Sequence, residues 1–227
     1  MSSNSSSLLT VKKWDTDVEE LQTLYAERKE AIKTRLADFK KVMQWDEPDV
    51  FAQLAFCLLT PQSSAKVCWD AVTKLKQQSL LMKGDAQAFQ PHLSQVRFGD
   101  SKARYIEEAR NMFTRDGHLE LKTQLSSFYN LFELREWLVE NVRGLGYKEA
   151  SHFLRNIGLG EEFAILDRHI LRNLNRLGVI PEIPGSITKK RYLEMEEKLR
   201  KFAVEIGIPM ADLDLLFWSK ETGWIFK

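Results

Sequence analysis

The sequence predicts an all-α protein built as two packed helical lobes. Apolar residues recur at helical spacing along almost the whole chain, strand-like alternation is nearly absent, and neither a repeat nor a long linker interrupts the pattern. At 227 residues there is room for one large domain or two small ones with a substantial core. Hydrophobic residues at 44% and charged residues at 29% are ordinary for a soluble globular protein. No apolar run approaches the roughly 20 residues that a membrane helix needs.

The polar, serine-rich start, Met1 to Ser7, lacks the basic and apolar regions of a signal peptide. Residues 1–16 are therefore expected to be a flexible lead-in, and the protein is expected in the cytoplasm, or in the nucleus of a eukaryote. Residues 17–44 form a charged amphipathic helix with Leu21, Leu24, Tyr25, Ile32, Leu36, Phe39 and Met43 on one stripe. Pro48 suits the first turn of the next helix, which is apolar nearly all round through Leu59 and so belongs at the centre of the fold. The run from Thr60 to Ser64 breaks it, and Ser63 or Ser64 is placed to cap a helix carrying Val67, Cys68, Ala71, Val72 and Leu75.

Residues 91–98 are ambiguous. Residues 101–115 are helical and stop at Asp116-Gly117, while Asn130 with Glu133 forms an N-cap pair for a helix through Val142. Helices follow over residues 147–157, 167–177, 188–206 and 209–222.

Charge and cysteine content narrow the chemistry. The formal net charge is only +1, so any nucleic-acid surface must be a local patch. Residues 141–176 hold six basic against four acidic side chains, with His152 and His169 in addition. Cys57 and Cys68, the only cysteines, sit in apolar helical patterns and read as buried thiols; they are too few for a four-cysteine iron–sulfur cluster.

The most specific stretch is Gly144-Leu145-Gly146-Tyr147-Lys148-Glu149-Ala150, with Asp167 nineteen residues beyond Lys148. A Gly-x-Gly turn opening a helix can set backbone N–H groups against a phosphate. A lysine just past it sits where the helix dipole disfavours a cation, which asks for a role other than surface charge. Taken singly, the features also have plain readings: a tight turn, a solvated lysine, and an aspartate capping its helix. Together they suggest DNA-backbone binding beside amine chemistry.

From Val142 to Ala150 the chain resembles the hairpin of the helix-hairpin-helix DNA glycosylases, and Leu166-Asp167-Arg168-His169 resembles their downstream aspartate segment. The Lys148–Asp167 spacing is similar to that of the bifunctional 8-oxoguanine glycosylases, above all the compact type-2 branch of archaea and some bacteria. The likeness runs from about Pro48 to Lys227; one departure is Arg143, where the family usually has proline. It implies a base-excision enzyme that turns 8-oxoguanine out of duplex DNA, removes it through a lysine Schiff base and nicks the strand by β-elimination. Two closely packed lobes over residues 17–227, with the active site between them, are part of the same expectation.

Lys148 is then the nucleophile, and Asp167 stabilises the cationic sugar. Gln62, Ser63 and Ser64 match a turn from which related enzymes insert polar residues into the duplex. Arg97 and Phe98, with Lys102 following, are suited to stack on and bond the orphaned partner base. Arg143, Gly144, Gly146 and His169 are assigned to the phosphates.

Lys227, at the end of an aromatic-rich segment, matches a terminal lysine that lies in the family's base pocket. A carboxylate there accepts the lesion's donors, although only N7–H distinguishes 8-oxoguanine from guanine. Trp218 is expected to stack on the flipped base, with Trp69 as a second candidate, and Asp212 and Asp214 either face the pocket or are solvated. No organic cofactor and no side-chain metal site are implied, but the carbonyls near Gly144 and Gly146 are suited to a monovalent ion. The expected partner is duplex DNA containing 8-oxoguanine, bound by a monomer. Two other readings stay open: a related glycosylase for another damaged or mismatched base, and a non-catalytic DNA-binding module. The lack of a cysteine cluster and the presence of Lys148 weigh against them in turn.

Overall fold

A computed structural model describes residues 4–225, with side chains from Asp15 onward. The helices expected from the periodicity are present, arranged in two units: a central one, residues 38–160, and a terminal one that joins the segment up to Ala37 with the segment from Glu161 on.

The first helix, α1 (Asn4–Lys41), starts ahead of the residue 17 expected from the sequence, so most of the expected lead-in is helical. Extending an existing helix adds one hydrogen bond for each residue ordered, without a second nucleation cost. A short 3-10 turn, Val42–Gln44, leads into α2 (Glu47–Leu59), where Pro48 occupies the first turn as predicted.

Every side chain from Val50 to Leu59 is buried, which confirms α2 as the core of the central unit. Around it pack α3 (Ala65–Gln77), α6 (Gly99–Met112), α7 (Leu121–Ser126) and α9 (Tyr147–Asn156). Phe56 lies edge-on to Trp69 at 5.6 Å and to His152 at 5.4 Å between ring centroids. Full burial of such a ring is worth about 1.5–3 kcal/mol. Cys57 and Cys68 are both free and buried, as expected.

Between α3 and α6 lie two single turns, α4 (Leu80–Lys83) and α5 (Ala86–Phe89), and a 3-10 turn, Gln90–Leu93. These short elements and α7 carry too little periodicity to be read from sequence. One expectation is corrected after α6. Asp116-Gly117 does not end the helix, which stops at Met112; it joins two short antiparallel strands, Thr114–Arg115 and His118–Leu119. Both residues have positive φ, 48° and 78°, as the twist of a two-residue hairpin requires. Beyond α7, helix α8 (Leu131–Asn141) is capped as predicted, the Asn130 side chain accepting from the N–H groups of Phe132 and Glu133.

In the terminal unit, α10 (Arg168–Arg176), α11 (Lys189–Ile206) and α12 (Met210–Thr222) assemble with α1. The buried stripe of α1 includes Leu21, Ile32 and Leu36. Polar ties add direction: Gln22 donates to the Ile206 carbonyl at 3.0 Å, and Arg28 to Ser219 Oγ at 2.8 Å. Asp212, only 1% exposed, accepts from the Tyr25 hydroxyl at 2.7 Å and pairs with Lys33 at 3.0 Å.

Burial, then the hydrogen bond and charge of Asp212, push the Tyr25 phenol above its ordinary range. The fold thus favours the neutral phenol. Its contribution is complete below the ordinary tyrosine pKa of about 10 and is lost as pH rises above it, because the unfolded chain ionises first. The Tyr25→Phe variant should therefore lose stability less steeply than wild type above about pH 10 in chemical denaturation. Parallel slopes for the two proteins would remove Tyr25 from the alkaline transition.

Candidate functional site

In the central unit the hairpin is held from both sides. Arg135 of α8, 1% exposed, stacks its guanidinium 5.4 Å from the Tyr147 ring centroid and donates to Ser151 Oγ at 3.2 Å. Tyr147 in turn donates to Glu136. These residues lock α8 against α9, a role that nothing local in the sequence marks. Gly144 takes φ +93°, and a Cβ there would fall 2.5 Å from Tyr105 Cδ2 of α6, so only glycine fits. Arg143 leans on the same helix, 3.1 Å from Glu108 Oε1 and 5.2 Å from the Tyr105 centroid. Gly146 is extended and has no side chain with which to cap α9.

Lys148 lies in the first turn of α9, its side chain 23% exposed. Its Nζ reaches the C-terminal end of α2, 3.4 Å from Thr60 Oγ1, and is 3.5 Å from Glu149 Oε1. The Thr60 hydroxyl donates its proton to the Cys57 carbonyl at 2.9 Å, which turns a lone pair toward the amine. Cys68 donates to the Leu59 carbonyl at 3.2 Å, and burial pushes its thiol up to about 11.

Two exposed corners flank this helix end. Gln62 has φ 55° and Phe98 φ 60°, both in the left-handed region. Phe98 is 57% exposed, with the Arg97 guanidinium 5.0 Å from its ring, so it is not a core aromatic. The α3 N-cap is Ser64, yet no side chain makes the capping bond; Ser63 Oγ instead accepts from the Arg97 N–H at 3.0 Å. Lys102 is a further correction. Expected on a DNA face, it is 4% exposed and donates to Leu59 O at 2.7 Å, Pro61 O at 2.6 Å and Ser63 Oγ at 3.2 Å. With its three donors engaged, it has none left for a phosphate. Trp69, half-buried and edge-on to Phe56, packs within the central unit.

In the terminal unit Asp167 does cap α10. Both capping bonds, from His169 N at 2.8 Å and Ile170 N at 2.9 Å, fall on Oδ1, and among the described residues no donor reaches Oδ2. The buried segment before it is pinned by α11. Tyr192 donates to the Ala164 carbonyl at 2.6 Å and accepts from Leu166 N at 3.3 Å, while Glu196 accepts from Ala164 N at 2.7 Å. Neither residue stands out in the sequence.

His169 Nδ1 is 3.9 Å from Glu221 Oε2 on α12. Trp218 and Asp214, also on α12, are half-buried. Asp212 is neither solvated nor open to a base: its carboxylate is engaged by α1 through Tyr25 and Lys33. Lys227 lies outside the described residues. Among the described residues no cluster of three or more His, Cys, Asp or Glu side chains could hold a metal, and no helix is long and apolar enough to cross a membrane.

The family model of 8-oxoguanine DNA glycosylase matches residues 32–208. An 8-oxoguanine DNA glycosylase/AP lyase from Fusobacterium nucleatum is 46% identical over 211 residues, 92% of this chain and 96% of its own. The crystal structure of the Thermotoga maritima 8-oxoguanine DNA glycosylase superposes with a TM-score of 0.83 at 35% identity, covering 94% of this chain and 100% of that one. The Methanocaldococcus jannaschii glycosylase/lyase, in complex with a 15-mer DNA containing 8-oxoguanine, gives 0.84 at 33% identity over 92% and 99%.

Gly144 and Gly117 both have positive φ, but a Cβ on Gly117 meets nothing within 4 Å. Gly117→Ala should lower Tm by roughly 2–4 °C, the effect of about 1 kcal/mol in a chain of this size. Gly144→Ala should lower it by at least about twice as much, because the Tyr105 ring must also move. Equal shifts in thermal denaturation would mean that the ring contact contributes nothing.

Proposed function

The chain belongs to the 8-oxoguanine DNA glycosylase family, and from that membership and its site chemistry we propose that it excises 8-oxoguanine from duplex DNA and then cleaves the strand at the abasic site. The observation that carries this reading is the environment of Lys148. The amine is drawn out of bulk solvent, to a hydroxyl lone pair at the end of α2, one turn beyond a glycine hairpin.

Lys148 as the free amine attacks C1′ of the lesion nucleotide. The C1′–N9 bond breaks with its electron pair leaving on the base, which takes up a proton, and the C1′–Nζ bond forms. Opening of the sugar gives a protonated imine. Loss of a C2′ proton then expels the 3′-phosphate, which is the lyase step. Asp167 is suited to oppose the positive charge that develops on the sugar: Oδ1 is fixed by the helix it caps, and Oδ2 has no donor among the described residues.

Phosphate binding falls to the N-terminus of α9, with Arg143 beside it, and to His169 and Arg168 at the start of α10. Among the described residues no backbone N–H donates to the carbonyls of Arg143, Gly144 or Leu145, so these are the groups that would hold a monovalent ion. When bound, such an ion would supply positive charge to the phosphate. Trp218, an incompletely buried indole on α12, is the candidate stacking face for the base.

Lys148→Gln should abolish borohydride trapping of the protein on a duplex carrying 8-oxoguanine, with duplex affinity retained. Trapping by that variant would require another nucleophile. Asp167→Asn should slow single-turnover excision by about 100-fold or more, in the range of lost electrostatic stabilisation of a transition state. The cap survives in this variant because the asparagine side chain also accepts. Unchanged turnover would remove the proposed role.

A further inference from the structure

Lys102 is the least expected residue of the central unit. Buried cations are uncommon, and a helix end can be closed more cheaply by a glycine or by water. Here one residue grips two loops at once. Its ammonium holds Leu59 O, Pro61 O and Ser63 Oγ on the α2–α3 turn. Its backbone N–H holds the Phe98 carbonyl at 3.1 Å, in the first turn of α6. Ser63 completes the link by accepting from the Arg97 N–H at 3.0 Å. The residues at the two corners so joined, Gln62 and Phe98, are both exposed and both have left-handed backbone. A left-handed non-glycine residue costs on the order of 1–2 kcal/mol and persists only when its surroundings hold it.

We propose that Lys102 is a positioning residue that makes Gln62 and Phe98 a single rigid two-pronged wedge, which turns the lesion out of the stack and fills the space it leaves. The inference rests on the excision activity proposed above. Turning out a paired base costs a few kcal/mol, and least where the base is already unpaired. A wedge whose prongs are fixed relative to each other meets that cost without first ordering two loops. Lys102 itself touches no DNA and takes no part in the covalent steps.

The test is single-turnover excision by Lys102→Met and Ser63→Ala. One duplex pairs 8-oxoguanine with cytosine, and a second places the lesion opposite a reduced abasic residue. Lys102→Met should lose about tenfold or more on the paired lesion, equivalent to 1.4 kcal/mol of barrier. On the unpaired lesion, and in cleavage of a pre-formed abasic site, it should stay within about threefold of wild type. Ser63→Ala keeps two of the three ammonium contacts and should show the same substrate dependence with a smaller loss, so the test stands even if Lys102→Met unfolds. Equal losses on both lesion duplexes, in either folded variant, would mean that the grip is merely structural and would overturn the proposal. So would an undiminished rate on the paired lesion. Wild-type enzyme that excises from neither duplex would overturn the proposed function and this inference with it, whereas normal wild-type excision with uniform variant losses would sink the inference alone.

Discussion

The buried C-terminal end of α2 is the constraint on which the central unit turns. A helix leaves its last carbonyls without internal partners, and at a surface water would satisfy them. Here the final turn is enclosed, and side chains do the work: Cys68 and Lys102 share Leu59 O, Lys102 reaches on to Pro61 O, and Thr60 bonds back to Cys57 O. Burial draws the Lys102 ammonium below its ordinary range, so it is held there by acceptors rather than by solvent. Leaving a buried carbonyl without a donor costs about 1–3 kcal/mol. That figure explains why a cation is tolerated in an otherwise apolar core. Lys148 approaches the same helix end through Thr60, so one set of bonds fixes both the core and the setting of the proposed nucleophile.

Asp167 shows how a helix cap leaves room for the proposed chemical role on the same carboxylate. Capping and charge stabilisation compete only if they need the same oxygen. Two backbone N–H groups take Oδ1, which sets the plane of the carboxylate. The chain entering the cap is fixed by Tyr192 and Glu196 of α11, whose partners lie at Ala164 and Leu166. Such an aspartate keeps its orientation without a further side-chain partner. The choice between cap and functional group, open on sequence alone, does not have to be made.

What was legible in the sequence follows the range of the interactions involved. Periodicity located α2, α8, α9, α11 and α12 because each buries a face or stripe that its own residues spell out. The Asn130 cap was legible because donor and acceptor lie within one turn. Gly144 announced a turn, though not the Tyr105 ring that makes glycine obligatory. Lys102 was misread because composition says that a lysine beside arginine and phenylalanine faces solvent. Its three acceptors lie about forty positions earlier, and no local pattern encodes them. Asp212 failed for the same reason, with partners in α1 at Tyr25 and Lys33. Asp116-Gly117 failed differently: helix ends and hairpins use the same residues, and the flanking strands are too short to show alternation.

The distribution of backbone strain gives the same division a functional edge. Among the described residues the non-glycine positions with positive φ are Gln62, Ser79, Phe98 and Asp116. Asp116 belongs to a hairpin turn that demands it, and Ser79 begins the single turn of α4. Phe98 begins α6 in the same way, and Gln62 is the third residue of the Thr60–Ser63 turn, closed by Ser63 N donating to Thr60 O at 3.0 Å. Neither is the small residue that a left-handed corner favours, and exposed aromatic surface at Phe98 forgoes burial worth about 1.5–3 kcal/mol. Two unfavourable choices made side by side, joined through Ser63 and held by one buried ammonium, describe a surface shaped for something other than stability. In a chain whose family acts on bases stacked inside a duplex, such a pair suits the proposed extrusion step, which has to precede attack by the proposed nucleophile.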